Sequence, residues 1–161
     1  MPASHAARLQ ELAIARGVTV ATAESCTGGN IAHQITSQSG SSAYFLGGVV
    51  SYANDVKHRV LGVPESVLEN PGAVSESCAR AMAEGAQALI GADIAVSTTG
   101  IAGPDGGTEP KPVGLVYIGL ATASETIVEE HVFPGDRVAV IEAATNRALE
   151  LLVKGVSTEI A

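Results

Sequence analysis

Apolar positions along the chain switch between helical and strand-like spacing. From His5 to Arg16, Ala6, Leu9, Leu12 and Ala13 recur at helical intervals and Gly17 stands where a C-cap would, which predicts a helix. Val18 to Ala23 is short and β-branched and reads as a buried strand. It runs into Glu24-Ser25-Cys26-Thr27-Gly28-Gly29, after which Ile31, Ala32 and Ile35 restore helical spacing, giving strand, tight turn, helix. Gly40-Ser41-Ser42 is a second turn, followed by a predicted strand over 45–52. A short helix over 54–61 has Asn54 as its expected N-cap and Gly62 as its C-cap. A further helical piece over 64–69 starts at Pro64. Ser75 opens the clearest helix, which runs to Ile90 with Ala79, Met82, Ala83, Ala86 and Leu89–Ile90 as its apolar stripe. Strands are expected over 93–99, 113–121 and 126–133, the last two close enough for an antiparallel hairpin. The last helix spans 136–153, with Val140, Ala144, Leu149 and Leu152 facing inward.

Five strands interleaved with helices predict a single α/β domain over residues 1–161, a three-layer sandwich whose final hairpin makes the sheet mixed. A chain of 161 residues and 16.2 kDa buries a hydrophobic core without disulfides. With 46% hydrophobic and 16% charged residues and a mean hydropathy of +0.27, disorder is not expected. Aromatic residues are 3% of the chain, too few for a base-stacking platform. The net charge of −8 disfavours nucleic acid as a partner and leaves room for a small anion in a local pocket. Cys26 and Cys78 make no disulfide framework, and the four histidines have no zinc-site spacing, so no metal and no cofactor are expected. No leader-like segment and no run of about 18 apolar residues appear, so the expected setting is cytoplasmic and away from membranes.

Three polar clusters could carry chemistry. The Glu24–Gly29 turn precedes a helix, where free N–H groups favour an anion. Ser25 and Thr27 add hydroxyls, although the same residues also serve as ordinary caps, and the Gly-Lys-Ser/Thr ending of a phosphate-binding loop is absent. Cys26 is either a nucleophile or a small core residue. The loop from Gly100 to Pro112 is long for a compact domain and either binds a ligand or turns at the surface. The third cluster is Ser42, Tyr52 and Lys57. A serine needs a base, and lysine serves as one in Ser-Lys enzymes. An ordinary lysine is neutral only about 0.04% of the time at pH 7, so burial must lower its pKa.

The motifs Thr22-Ala23-Glu24-Ser25-Cys26-Thr27-Gly28-Gly29, Gly40-Ser41-Ser42, Ser51-Tyr52-Ala53-Asn54-Asp55-Val56-Lys57, Gly72-Ala73-Val74-Ser75 and Gly100-Ile101-Ala102-Gly103-Pro104-Asp105-Gly106-Gly107, with Lys111-Pro112-Val113-Gly114, resemble the CinA carboxy-terminal domain family in order and spacing. The resemblance extends from Leu9 to Leu152. It implies a three-layer α/β/α fold with a mixed, mostly parallel sheet of the anticodon-binding-domain type. It also implies deamidation of nicotinamide mononucleotide to nicotinic acid mononucleotide and ammonia, in a protein that forms homo-oligomers. Longer members carry an amino-terminal domain that this chain is expected to lack. The matching positions make Ser42 the nucleophile, Lys57 the base and Tyr52 an assisting residue. Thr99 falls in the pocket and Arg137 at the nucleotide phosphate, with Ser25, Thr27, Gly28, Gly100, Gly103 and Asp105 around the substrate. The oxyanion would rest on backbone N–H groups at Ser41–Ala43 or in the Gly100–Gly107 loop. Two other readings stay open: a cysteine amidase using Cys26 with Glu24 and Lys57, and a nucleotide-sensing module without catalysis.

Overall fold

A computed structural model describes residues 4–158. The first helix, α1 (His5–Arg16), starts where the Ser4 hydroxyl accepts the Ala7 N–H and stops at Gly17, whose φ of 67° suits glycine. Strand β1 (Val20–Glu24) is buried throughout and leads through the polar turn into α2 (Asn30–Thr36). A 3-10 turn at Ser41–Ala43 precedes β2 (Phe45–Val50), followed by α3 (Asn54–Leu61), α4 (Glu65–Glu69) and α5 (Glu76–Ile90). Then come β3 (Ile94–Gly100), β4 (Leu115–Ala121), β5 (Thr126–Val132) and α6 (Arg137–Thr158).

The strands form one sheet in the order β2-β1-β3-β4-β5. β1 pairs in parallel with both β2 and β3, Glu24 lying opposite Val50 on one side and Thr98 on the other. The β3–β4 and β4–β5 pairs are antiparallel, so β4 alone runs against the other four strands. This is the mixed three-layer architecture that the alternation of elements predicts.

The two faces of the sheet are packed differently. Val20, Val96, Ile118 and Leu120 meet α1, α2 and α6 in a core of large aliphatic side chains. The opposite face presents Ala21, Ala23 and Ala95 to α3, α4 and α5. The small residues let α5 lie close to the sheet. A Cβ on Gly119 would sit 2.7 Å from the Ala79 carbonyl oxygen, and Ser97 Oγ donates to that same oxygen at 2.6 Å.

Three expectations are corrected. Leu89 is not part of the buried stripe of α5; it is 57% exposed, beyond the arc that the sheet covers. The last helix runs on to Thr158, because Gly155 stays helical against Leu120 and Ile94. Ala53, not Asn54, caps α3, and Asn54 is its first helical residue.

Candidate active site at the carboxyl edge of the sheet

The chain leaves β1 toward β2 on one side and returns to β3 on the other. Crevices at such a reversal, beyond the carboxyl ends of the strands, are where open α/β sheets bind ligands. The pocket found there has a volume of about 220 Å³. Ser25, just past β1, Thr99 and Gly100, ending β3, and Tyr52, just past β2, all line it. Lys57 and Asn54 reach it from α3, and Arg137 from the start of α6.

Its centre is a serine–lysine contact. Lys57 Nζ donates to Ser25 Oγ at 3.0 Å and to the Tyr52 carbonyl oxygen at 2.8 Å. Lys57 is 2% exposed and, among the described residues, pairs with no carboxylate. Burial therefore disfavours its charged form and holds its pKa below the ordinary lysine value. The helix that carries it packs closely on α5: a Cβ on Gly85 would collide with the Leu61 carbonyl oxygen at the end of α3.

The turn that presents Ser25 is tied down from behind. The buried Glu24 carboxylate accepts the Thr27 hydroxyl at 2.6 Å, the Ile31 N–H at 2.8 Å and the Ala32 N–H at 3.0 Å. Thr27 Oγ1 lies 2.8 Å from Thr98 Oγ1, and the Ser25 N–H donates to the Thr98 carbonyl at 3.0 Å. The turn is thus locked to β3 as well as to α2. Cys26 sits in this layer, buried, and desolvation pushes its thiol up to about 11. Cys78, buried on the α5 side, is likewise pushed up to about 11 by burial. Thiols held protonated in this way are poor nucleophiles.

At the mouth of the pocket, Arg137 Nη1 donates to the Gly103 carbonyl at 2.7 Å and Nη2 to the Tyr52 hydroxyl at 3.1 Å. Both acceptors are neutral, so these contacts do not cancel the guanidinium charge. Thr99 Oγ1 donates to the Ala73 carbonyl at 2.7 Å.

Of the residues expected from the sequence, Lys57, Tyr52, Ser25, Thr99, Gly100 and Arg137 meet in one pocket. Gly103 stands behind Arg137 through its carbonyl. Ser42 does not join them. It lies in the exposed 3-10 turn before β2, at the amino end of a strand whose carboxyl end leads to Tyr52 and Lys57. The partner of Lys57 is Ser25, which the sequence had placed at the substrate instead. The Ser41–Ala43 amides lie in that same turn and do not line the pocket. Thr27 is committed to Glu24 and Thr98, while Gly28 and Asp105 are exposed and do not line the pocket. Asn54 also lines the pocket, although its place before an apolar stripe reads, in the sequence, as a cap.

Fold and site together define an open, mixed α/β sheet with a buried serine–lysine pair at its switch point. The chain belongs to the CinA C-terminal domain family, whose profile matches residues 2–156. It is 52% identical over 137 residues, 85% of its length, to a CinA-like protein of Geobacter sulfurreducens. It is 53% identical over 136 residues, 84% of its length, to a CinA-like protein of Salinibacter ruber. The chain spans about a third of the length of these relatives, 33% in each case. A solved competence-damaged protein (CinA) superfamily protein from Klebsiella pneumoniae superposes with a TM-score of 0.92 at 35% identity, over 96% of this chain and 97% of that one. A competence/damage inducible protein from Agrobacterium tumefaciens superposes with a TM-score of 0.89 at 38% identity, over 98% and 100% of the two chains. Among the described residues, no helix is long and apolar enough to cross a membrane.

Proposed function

We propose that this domain is an amidohydrolase that deamidates nicotinamide mononucleotide to nicotinic acid mononucleotide and ammonia, with Ser25 as nucleophile and Lys57 as base. The observation that carries the reading is the 3.0 Å contact between Ser25 Oγ and the Nζ of a lysine with 2% exposure. With Lys57 neutral, that contact reverses and the Ser25 hydroxyl donates to the amine lone pair. Ser25 Oγ then attacks the carboxamide carbon while Lys57 takes its proton, and the carbonyl electrons move onto oxygen. Among the described residues, the Cys26 and Thr27 amide N–H groups have no backbone acceptor, and they follow the nucleophile directly in the chain. They are the donors for the oxyanion, a role in which one N–H is typically worth about 10²–10³ in rate.

Collapse of the intermediate expels the nitrogen, which leaves as ammonia with the proton held by Lys57. Water, deprotonated by the same amine, releases the acid from Ser25. Arg137 is the anchor for the 5′-phosphate: its hydrogen bonds run to neutral acceptors, and a phosphate would add charge-assisted ones. The Cys26 alternative is disfavoured by the raised thiol pKa.

Ammonia release from the purified protein, supplied in turn with nicotinamide mononucleotide, nicotinamide riboside and nicotinamide, tests the proposal. Release from the mononucleotide alone is expected. Equal release from all three removes the phosphate anchor. Silence from protein that still binds the mononucleotide replaces the enzyme with a sensing module.

A further inference from the structure

Helix α3 brings two side chains to the pocket, and the second has no assigned task. Asn54 lies three residues before Lys57, and residues so spaced are neighbours on one helix face. Both line the pocket with Ser25. Had Asn54 been the N-cap, a backbone N–H would have occupied its side-chain oxygen. Ala53 takes that position, and the exposed Asn54 carboxamide has, among the described residues, no protein hydrogen-bond partner. The other polar side chains around it are engaged. Ser25 accepts from Lys57, Thr99 donates to Ala73, and Arg137 holds the Tyr52 hydroxyl. Asp55, next in the chain, is turned toward Arg59 at 2.8 Å. Asn54 is thus, among the described polar side chains lining the pocket, the one with neither its donor nor its acceptor engaged by protein.

We infer that Asn54 pairs with the scissile carboxamide and makes the pocket prefer the amide substrate over its acid product. This rests on the amidase reading. Two amides match edge to edge: Oδ1 accepts the substrate N–H and Nδ2 donates to the substrate oxygen. A carboxylate has two acceptor oxygens and no N–H. Whichever way the Asn54 amide is turned, one of those oxygens faces Oδ1. Sites that hydrogen-bond a substrate N–H reject the analogue that lacks it. Asn54 thus acts as a specificity-determining residue that favours departure of the acid once it forms.

The test is calorimetric titration of the Ser25→Ala protein with nicotinamide mononucleotide and with nicotinic acid mononucleotide. The measured quantity is the ratio of the two Kd values. The parent should favour the amide. Adding Asn54→Ala should reduce that preference about tenfold, the worth of one such hydrogen bond. Adding Asn54→Asp should keep or widen it, since an acceptor remains at the same place and its charge repels the acid. A purely structural role would weaken both ligands together and leave the ratio unchanged. The inference is overturned by a ratio that stays within about twofold of the parent after Asn54→Ala. It is also overturned if Asn54→Asp loses as much preference as alanine, or if the parent shows none. A parent that binds neither nucleotide sinks the amidase reading itself, so the two failures are distinct.

Discussion

The turns at 24–29 and 40–42 are built from the same small polar residues and lie at opposite edges of one sheet. Ser25 is 8% exposed, its turn bolted to α2 by Glu24 and to β3 by Thr98, and its hydroxyl meets a lysine stripped of water. Ser42 is exposed in a single 3-10 turn. At ~3.3 Å per strand residue, β2 alone spans about 20 Å between the amino end that carries Ser42 and the carboxyl end beside Ser25. A serine next to glycines is thus not itself a signal of reactivity. What separates these two is a desolvated base within hydrogen-bond reach and a rigid backbone that holds the pair together.

The sharpest way to break the comparison is to exchange each serine for alanine. Ser25→Ala should lower ammonia release from nicotinamide mononucleotide by about 10⁴-fold or more, as loss of a nucleophile does. Ser42→Ala should stay within about twofold, as a surface change does. The reverse result would move the site to the other edge of the sheet.

Lys57→Met separates chemistry from stability. Turnover should disappear, yet the melting temperature at pH 7 should hold or rise, because methionine buries similar volume without a charge. The pH dependence has a definite sign. Burial lowers the Lys57 pKa in the folded state, so the unfolded chain binds the extra proton more readily. In the parent, this lysine's contribution to stability is therefore least favourable below its folded pKa. That contribution improves as pH rises from there toward the ordinary value of about 10.4. Lys57→Met should remove this slope in denaturant titrations run across alkaline pH. In the same window, the kcat of the parent should rise with pH as Lys57 becomes neutral.

Gly85→Ala acts from a distance. The new methyl collides with the Leu61 carbonyl oxygen, so α3 must move, and Lys57 with it. A displacement of about 1 Å at a reacting group can cost about 10²-fold in rate. We expect kcat to fall on that scale with a stability loss of about 1–3 kcal/mol from overpacking. An unchanged kcat would show that the lysine tolerates movement.

Apart from the Ser42→Ala control, the smallest effect should come from Cys26→Ala. Burial pushes its thiol pKa up to about 11, so it is protonated at neutral pH, activity should remain within a fewfold and iodoacetamide should not inhibit. Loss of turnover under either treatment would revive the cysteine.

The sequence by itself determined the elements and their order. Helical periods in His5–Arg16 and Glu76–Ile90, the β-branched run before Glu24 and the glycines at positions 17, 62 and 91 are local signals written in backbone preference and side-chain spacing. The same reading grouped Tyr52 and Lys57 with Ser42 as a polar cluster, whereas the roles of Thr99 and Arg137 came only from the family resemblance. Tertiary structure alone decided which of them meet. A turn reads alike at either end of a strand, and only the parallel pairing of β2 beside β1 places Ser25, not Ser42, at the edge where α3 delivers Lys57. Likewise, a one-residue shift in where α3 begins turned Asn54 from a cap into a free amide on the pocket wall. Contacts between residues far apart in the chain depend on sheet order and helix packing, and those follow from how the whole core closes rather than from any local run of residues.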